Sequence, residues 1–184
     1  MAELKSSLAK LTFIKPYPVE HAPTTLDWFE SRDGPETLRL MGNPESEIGV
    51  PSLETEIQIL EEFVSLETEG KQITWMINFE DTVIGVAWIE LVENHTVKSP
   101  SVHLMIGDKK YRGKGIGTAT MQALITCIKD TATTKYVYSR HLKSNHVVAK
   151  MNAGLGFEDD GAPYVDNDGL EWQNIVLAVA APKS

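Results

Sequence analysis

The chain has 184 residues, of which 42% are hydrophobic and 23% are charged, and its net charge is −9. This length predicts one globular domain over residues 1–184, and the acidic balance excludes the basic footprint that nucleic-acid binding needs. The single cysteine, Cys127, excludes a disulfide within the chain. No apolar run approaches ~20 residues, so we expect no membrane contact, and the N-terminal "MAELKSSLAK" lacks the apolar core of a signal peptide. We therefore expect a cytoplasmic protein.

The first third of the chain predicts a strand and two helices. Leu11–Ile14 is a short apolar run, and "TTLDWFE" (24–30) predicts a helix that begins with a threonine cap after Pro23. Between Leu53 and Glu67 the pattern predicts a helix capped by Ser52. Its apolar face would comprise Leu53, Ile57, Leu60 and Val64. Its other face would be solvated or would form an acidic wall beside a cationic substrate, and it carries Glu54, Glu56, Glu61, Glu62 and Glu67.

The middle of the chain predicts a hairpin followed by a third strand. Ile73–Phe79 and Val83–Val92 are apolar runs joined by a turn at Glu80-Asp81, with Gly85 marking a bulge. Ser101–Gly107 alternates as a strand and leads into "YRGKGIG" (111–117). The next helix would bury Ile116, Thr120, Ala123 and Cys127, with Leu124 and Ile128 beside them. Later elements are strands at Tyr136–His141, from Gly156 and at Asn174–Ala180, a helix at Asn145–Ala153, and a loop at 159–163.

The glycine-rich segment after the third strand predicts an anion site. Unpaired amides at a helix N-terminus, with the positive end of the helix dipole behind them, bind phosphates, and glycine lets the ligand approach the backbone. Arg112 and Lys114 would add charge there. The spacing excludes a P-loop, because Lys114 is followed by Gly115, and it excludes the dinucleotide fingerprint, because Thr120 replaces the required glycine.

Two segments together resemble a known superfamily. Arg112-x-x-Gly115-x-Gly117 resembles the pyrophosphate motif of the GNAT superfamily of acetyl-CoA-dependent N-acetyltransferases, and "SNHVVAKMNAGLGFE" (144–158) resembles its second signature. "MIGDKKYRGKGIGT" (105–118) is also similar to aminoglycoside 6′-N-acetyltransferases. The resemblance spans residues 11–180 in element order. It implies an α+β (mixed α/β) fold in which about four helices flank a twisted mixed sheet of about seven strands, with a splay between two central strands.

The resemblance also implies a cofactor site and a reaction. Acetyl-CoA would be the co-substrate, attacked directly by an amine, and no metal is expected because the histidines lack metal-ligand spacing. The pantetheine would meet the strand amides of Leu104, Met105 and Ile106. The pyrophosphate would meet the amides of Arg112, Gly113, Lys114, Gly115, Ile116, Gly117 and Thr118, and Asn145 opens the second signature of the same site.

Three residues are candidates for catalysis. His103, an imidazole that titrates near working pH, is the first candidate base, or else a half-buried strand residue with a structural hydrogen bond. Glu90 on the neighbouring strand is the second. Asn152 stands where many relatives have a tyrosine, and an amide can donate a hydrogen bond but no proton. Tyr164 or Tyr138 could supply the proton for the thiolate instead, as could water.

The acceptor is the least specified part of the prediction. Acidic segments at Glu54–Glu69 and Asp159–Glu171 favour a cationic, aminoglycoside-like small molecule. The alternatives are a peptide or ribosomal-protein N-terminus, a non-catalytic module that senses acetyl-CoA, and a glycine loop for another phosphate ligand. A homodimer is also possible.

Overall fold

The computed structural model describes residues 4–131 and 134–179. Its strands are β1 (Leu11–Ile14), β2 (Gln72–Phe79), β3 (Thr82–Glu90), β4 (Ser101–Ile106), β5 (Tyr136–Leu142), β6 (Glu158–Asp159), β7 (Tyr164–Val165) and β8 (Glu171–Ala178). Its α-helices are α1 (Pro18–Glu30), α2 (Gly34–Met41), α3 (Leu53–Thr68), α4 (Ile116–Thr131) and α5 (His146–Gly154). Short 3₁₀ turns lie at Glu45–Glu47 and Lys109–Tyr111. No helix within these residues is long and apolar enough to cross a membrane.

The strands form one sheet in the order β1-β2-β3-β4-β5-β8-β6, with β7 paired to β8. The β4–β5 pair is parallel, and every other pair is antiparallel. The predicted mixed sheet and α+β class are therefore confirmed. The described residues hold five α-helices where about four were expected, because the sequence pattern did not predict α2.

The sheet separates two buried layers. The larger layer lies under α4 and includes Ile84, Val102 and Leu124, each fully buried. Cys127 is buried there too, and burial raises the pKa of its thiol, which agrees with its predicted place in the core. The smaller layer lies under α1 and α3 and includes Met76. Side chains that alternate along the central strands thus reach one layer or the other.

Helix α1 begins earlier than the sequence predicts. Pro18 occupies its first turn, where a missing N–H costs nothing, and Tyr17 donates its own N–H to His21 Nδ1 at 3.0 Å. Pro23, predicted to precede the helix, lies inside it. A proline does mark the start of this helix, but it is Pro18 and not Pro23.

Helix α3 is capped as predicted, since Ser52 Oγ accepts the Thr55 N–H at 3.1 Å, and Ile57 and Leu60 face the core as predicted, but the other two residues of the predicted face do not. Leu53 and Val64 are 44% and 40% exposed, whereas Glu56 is 3% exposed. Burial raises the pKa of the Glu56 carboxyl, and a hydrogen bond from Thr25 opposes that rise. The helix therefore turns one carboxylate of the expected acidic wall into the interior.

The hairpin of β2 and β3 matches its prediction. The turn residues Glu80 and Asp81 have φ of 51° and 63°, and the register shifts opposite Ile77, next to Gly85. A Cβ on Gly85 would lie 2.2 Å from the Met105 carbonyl oxygen, so only glycine lets β3 approach β4 this closely.

The C-terminal region contains more strand structure than the sequence predicts. Residues 159–163 lead into β7, which pairs with β8 through Tyr164 and Trp172. The closing strand begins at Glu171, three residues before its predicted start, and Ala180 at its predicted end lies outside the described residues.

Candidate active site

The central strands β4 and β5 part from each other soon after they meet. They share one register pair, Ser101 with Tyr138, whereas β4 shares six with β3. Near this pair the Tyr138 N–H donates to Pro100 O at 2.9 Å, and Ser139 Oγ donates to Val102 O at 2.7 Å. Beyond it the strands diverge, which is the predicted splay and opens a gap beside the carboxyl end of β4.

The backbone of β4 presents alternate residues to this gap. Gly107 donates its N–H to Ile84 O on β3 at 2.9 Å, so the backbone groups of Met105 also face β3. Those of Leu104 and Ile106 face the gap. Two of the three strand amides predicted to meet a pantetheine are therefore placed for it, and the third, at Met105, is turned away.

The glycine loop between β4 and α4 carries a row of free donors. Gly113 and Gly115 have φ of 72° and 78°, a left-handed conformation that favours glycine. The first helical bond runs from the Ala119 N–H to Gly115 O. In the part of the chain that the structure describes, the N–H groups of residues 113–118 have no protein acceptor. These amides stand at the positive end of the α4 dipole, which is anion-binding geometry.

Arg112 connects this loop to the rest of the fold through hydrogen bonds. Its Nε donates to Ile106 O at 2.8 Å, and its Nη2 donates to Thr37 Oγ1 at 2.7 Å and to Gly107 O at 3.2 Å. Its own N–H donates to Lys109 O at 3.0 Å. Its amide and three of its five side-chain donors thus have protein acceptors, and these bonds tie the loop to β4 and α2.

The gap is closed on one side by α5. Asn145 Oδ1 caps this helix by accepting the Val148 N–H at 3.2 Å. Asn152 is 2% exposed, and its Oδ1 has no hydrogen-bond partner. A Cβ on Gly117 would lie 3.5 Å from Met151 Sδ and 3.9 Å from Leu104 Cδ1, so α4, α5 and β4 converge at the beginning of α4.

A polar cluster lies on the other face of β4, toward α1 and α3. His103 stacks on Trp88 of β3 with ring centroids 5.2 Å apart, and its Nε2 lies 3.0 Å from Ser101 Oγ and 3.7 Å from Glu90 Oε1. Glu90 also accepts from Ser101 Oγ at 3.4 Å and from Asn94 Nδ2 at 2.9 Å. The structure thus brings together His103 and Glu90, the two candidate bases.

The hydrogen bonds of this cluster are compatible with one tautomer of His103 that suits a base. A hydroxyl carries one proton, so when Ser101 donates it to the Glu90 carboxylate, His103 Nε2 donates to Ser101 Oγ. The Nδ1 atom is then left as a proton acceptor. Burial lowers the pKa of His103 to about 4, although the nearby Glu90 carboxylate opposes this shift, so the ring is neutral at neutral pH.

Several residues of this region were not found from the sequence. Ser101 lies two residues before His103 on the same strand face, so the period of a strand could have indicated it. Arg140 of β5 and Trp172 of β8 come to the same side of the sheet through strand pairing, which no local pattern shows. Tyr164 bonds Arg140, and Tyr138 lies under the Lys98 ammonium, so both candidate proton donors face this side.

Several acidic side chains of this region have cationic partners, but Glu54, Glu61 and Glu62 of the predicted acidic wall stay exposed on α3. Lys109 pairs with Asp33 and Glu36 at 2.8 Å, Lys98 with Asp160 at 2.9 Å, and Lys15 with Glu67 at 2.7 Å. Asp166 accepts two loop amides and the Trp172 indole, and these hydrogen bonds lower its pKa. Within residues 4–131 and 134–179, no group of three or more His, Cys, Asp or Glu side chains could hold a metal ion.

Comparisons with known proteins agree with this architecture. A family model described as an acetyltransferase (GNAT) domain matches residues 18–158. No curated protein sequence matches the chain at a significant level. Among solved structures, the chain is similar to RimL, the ribosomal L7/L12 alpha-N-protein acetyltransferase in complex with coenzyme A, at 16% identity and TM-score 0.78, over 97% of this chain and 98% of that one.

Two further solved structures give similar agreement. The microcin C7 self-immunity acetyltransferase MccE, in complex with acetyl-CoA and AMP, is 15% identical with TM-score 0.77 over 94% of each chain. The ribosomal-protein-S5-alanine acetyltransferase from Vibrio fischeri is 20% identical with TM-score 0.70 over 91% of each chain. At these identities the likeness establishes a shared fold.

Proposed function

The chain belongs to the GNAT acetyltransferase family and is an N-acetyltransferase, and from this premise we propose that it acetylates a primary amine held beside Glu90 and His103. Acetyl-CoA supplies the acetyl group as a thioester. One observation carries the proposal. The amides of residues 113–118, which have no protein acceptor, and the cluster of Glu90, Ser101 and His103 lie beside the same gap. An anion site and a proton acceptor are what amine acetylation requires of the protein.

The loop donors fit the pyrophosphate of the co-substrate. The N–H groups of residues 113–118 are unpaired, and a phosphate in hydrogen-bond contact with them would lie at the N-terminus of α4. The amides of Leu104 and Ile106 face the gap and suit the pantetheine arm. Arg112 contributes by fixing the loop, so its role is to position these donors.

We assign proton removal to a relay of three side chains. The acceptor amine gives its proton to His103 Nδ1, the Nε2 proton passes to Ser101 Oγ, and the hydroxyl proton passes to Glu90. The proton comes to rest on a carboxylate, and the buried ring remains neutral. Burial depresses the pKa of His103 because it penalises the imidazolium, so the relay avoids the form that the site disfavours.

The leaving thiolate has no tyrosine donor from α5. Asn152 is buried there and can hydrogen-bond the sulfur but cannot protonate it. Tyr164 and Tyr138 lie on the face of Arg140 and Lys98, away from the α4 layer. We therefore assign thiolate protonation to water.

Two classes of acceptor are candidates. A cationic, aminoglycoside-like molecule is favoured by the exposed carboxylates of α3, such as Glu61 and Glu62, although many other carboxylates already have partners. An amino-acid or peptide amine is favoured by analogy with the similar structures, whose names specify ribosomal proteins. The polar cluster beside Trp88 suits either amine.

Thiol release from acetyl-CoA, measured against a panel of amines, tests the proposal. The panel contains aminoglycosides, polyamines, amino acids and short peptides, and a thermal-shift titration with CoA runs beside it. We expect stabilisation by CoA and turnover with one class. Stabilisation without turnover by any amine would contradict the proposed acceptor chemistry, and absence of any CoA response would contradict the loop assignment.

A further inference from the structure

Arg140 faces the same side of the sheet as His103, across the gap. Val137 is fully buried in the layer under α4, so the alternation of β5 turns Tyr138 and Arg140 to the opposite face. Ser101 and Tyr138 are in parallel register, and His103 and Arg140 each follow two residues later. The two side chains therefore flank the gap, and the Arg140 charge contributes to the low pKa of His103.

The guanidinium of Arg140 has few protein partners for its donors. Its Nη1 donates to Tyr164 Oη at 3.2 Å, and its Cζ lies 4.2 Å from the centre of the Trp172 ring. Among the described residues no carboxylate lies within ion-pair distance of it and its other N–H groups have no acceptor, although its charge helps to lower the pKa of the nearby Asp166. By contrast, Arg39 forms two bonds to Glu45, and Arg112 forms three to oxygen atoms. A guanidinium offers five donors, so most of those on Arg140 are unused.

The Trp172 ring under this guanidinium is fixed by several contacts. Trp172 is 7% exposed, and its indole N–H donates to Asp166 Oδ2 at 2.7 Å. Gly42 lies against the same ring, where a Cβ would be 2.4 Å from Trp172 Cζ2. Tyr164 pairs with Trp172 across β7 and β8. The guanidinium is thus fixed in place with donors left over, and this lowers the entropic cost of binding a planar anion.

We propose that Arg140 binds an oxyanion that the acceptor carries near its amine. This inference rests on the proposed function and specifies its substrate class. Arg140 would hold the oxyanion on one side of the gap while Glu90 attracts the amine on the other. A carboxylate or a phosphate would suit the fork geometry of arginine. A polyamine or an aminoglycoside would instead bring like charge to Arg140, so the inference favours an amino acid or another amine with an anionic group.

Matched pairs of amines test this subsite. L-phenylalanine, L-leucine and L-methionine are each compared with their carboxamides, and O-phosphoethanolamine is compared with ethanolamine. The variants are Arg140→Gln and Arg140→Lys, and Arg32→Gln removes the same charge from an exposed position as the control. We expect Arg140→Gln to lower kcat/KM for the oxyanion member by about 10- to 100-fold and for the neutral member by less than about twofold. Arg140→Lys keeps the charge without the fork and should lie between.

Calorimetry on the CoA-loaded protein separates this inference from the proposed function. Binding of an oxyanion probe that Arg140→Gln removes, without turnover, would sustain the subsite and contradict the acetyl transfer. Turnover of acid and amide with equal kcat/KM in wild type would overturn the subsite and leave the transfer intact. Equal losses for both members of a pair in Arg140→Gln would also overturn it, as would no binding of any oxyanion probe. The pair that shows the larger loss identifies carboxylate or phosphate.

Discussion

The two sides of the gap between β4 and β5 are built by different means. On the α4 side, one continuous segment offers backbone amides, and its main requirement is glycine at positions with positive φ. On the α1 and α3 side, side chains from β3, β4, β5 and β8 meet through strand register. Local sequence is therefore enough to build the proposed phosphate site from backbone amides, whereas the side chains proposed to bind the acceptor come together only through the fold.

The largest expected effect is the loss of CoA binding in Gly115→Asp. A side chain here adds strain at φ of 78° and places a carboxylate against the pyrophosphate, so we expect an affinity loss of more than about 100-fold. Gly70→Asp is the matched control, because Gly70 has φ of 70° and equally open surroundings but lies at the end of α3. Calorimetric titration with CoA measures both, and wild-type affinity in Gly115→Asp would show that the loop binds something else.

The second effect tests the opposite side of the gap. Glu90→Gln, Ser101→Ala and His103→Gln should each lower kcat by about 100-fold and leave CoA affinity unchanged. Because a relay acts as a unit, the double variants should be little worse than the singles. Glu93→Gln, an exposed neighbour, is the control. Losses that multiply would show that the three residues act separately.

The third effect tests whether Arg112 acts by fixing the loop or by contacting the ligand. Arg112→Gln removes donors from Ile106 O, Gly107 O and Thr37 Oγ1, so the free energy of unfolding should fall by about 2–4 kcal/mol. Denaturant titration measures it, and CoA affinity should fall by only about tenfold as the loop loosens. Thr37→Val, which removes one of these acceptors, is the milder comparison. Full stability with a far larger loss of CoA affinity would mean that Arg112 contacts the ligand directly.

The smallest effect is a pH dependence of stability. The pKa of His103 is about 4 when folded and 6.5 when unfolded, so below pH 6.5 the unfolded chain binds a proton that the native ring refuses. Stability therefore falls as pH drops from 6.5 toward 4, by about 1 kcal/mol from this residue at pH 5.5. His103→Gln should flatten the decline between pH 7 and 5.5 in urea unfolding. An identical decline in both proteins would place the titration elsewhere.

The sequence predicted the backbone side of the site better than the side-chain side. The strand, the glycines and the α4 stripe are local patterns, so Ser101–Gly107, the loop and Cys127 were placed correctly. Arg112 was assigned to the ligand because a cation in such a loop suggests a phosphate contact, and no local pattern predicted that three of its donors bond Ile106 O, Gly107 O and Thr37 Oγ1.

Positions that depend on tertiary contact were harder to predict. Periodicity placed Leu53 and Val64 inside, but α3 turns Glu56 toward α1 instead. Arg140 carried no local signal, because its relation to His103 exists only through the single register pair of β4 and β5.

The most direct test of the central claim is a CoA titration of protein labelled with ¹⁵N-glycine, followed by NMR. We expect the amide resonances of Gly113, Gly115 and Gly117 to shift in parallel and to saturate as CoA is added, because these N–H groups acquire acceptors. The amide of Gly70, which also has positive φ but lies just after α3, should stay in place. Saturable binding that leaves the three loop glycines unmoved would contradict the account.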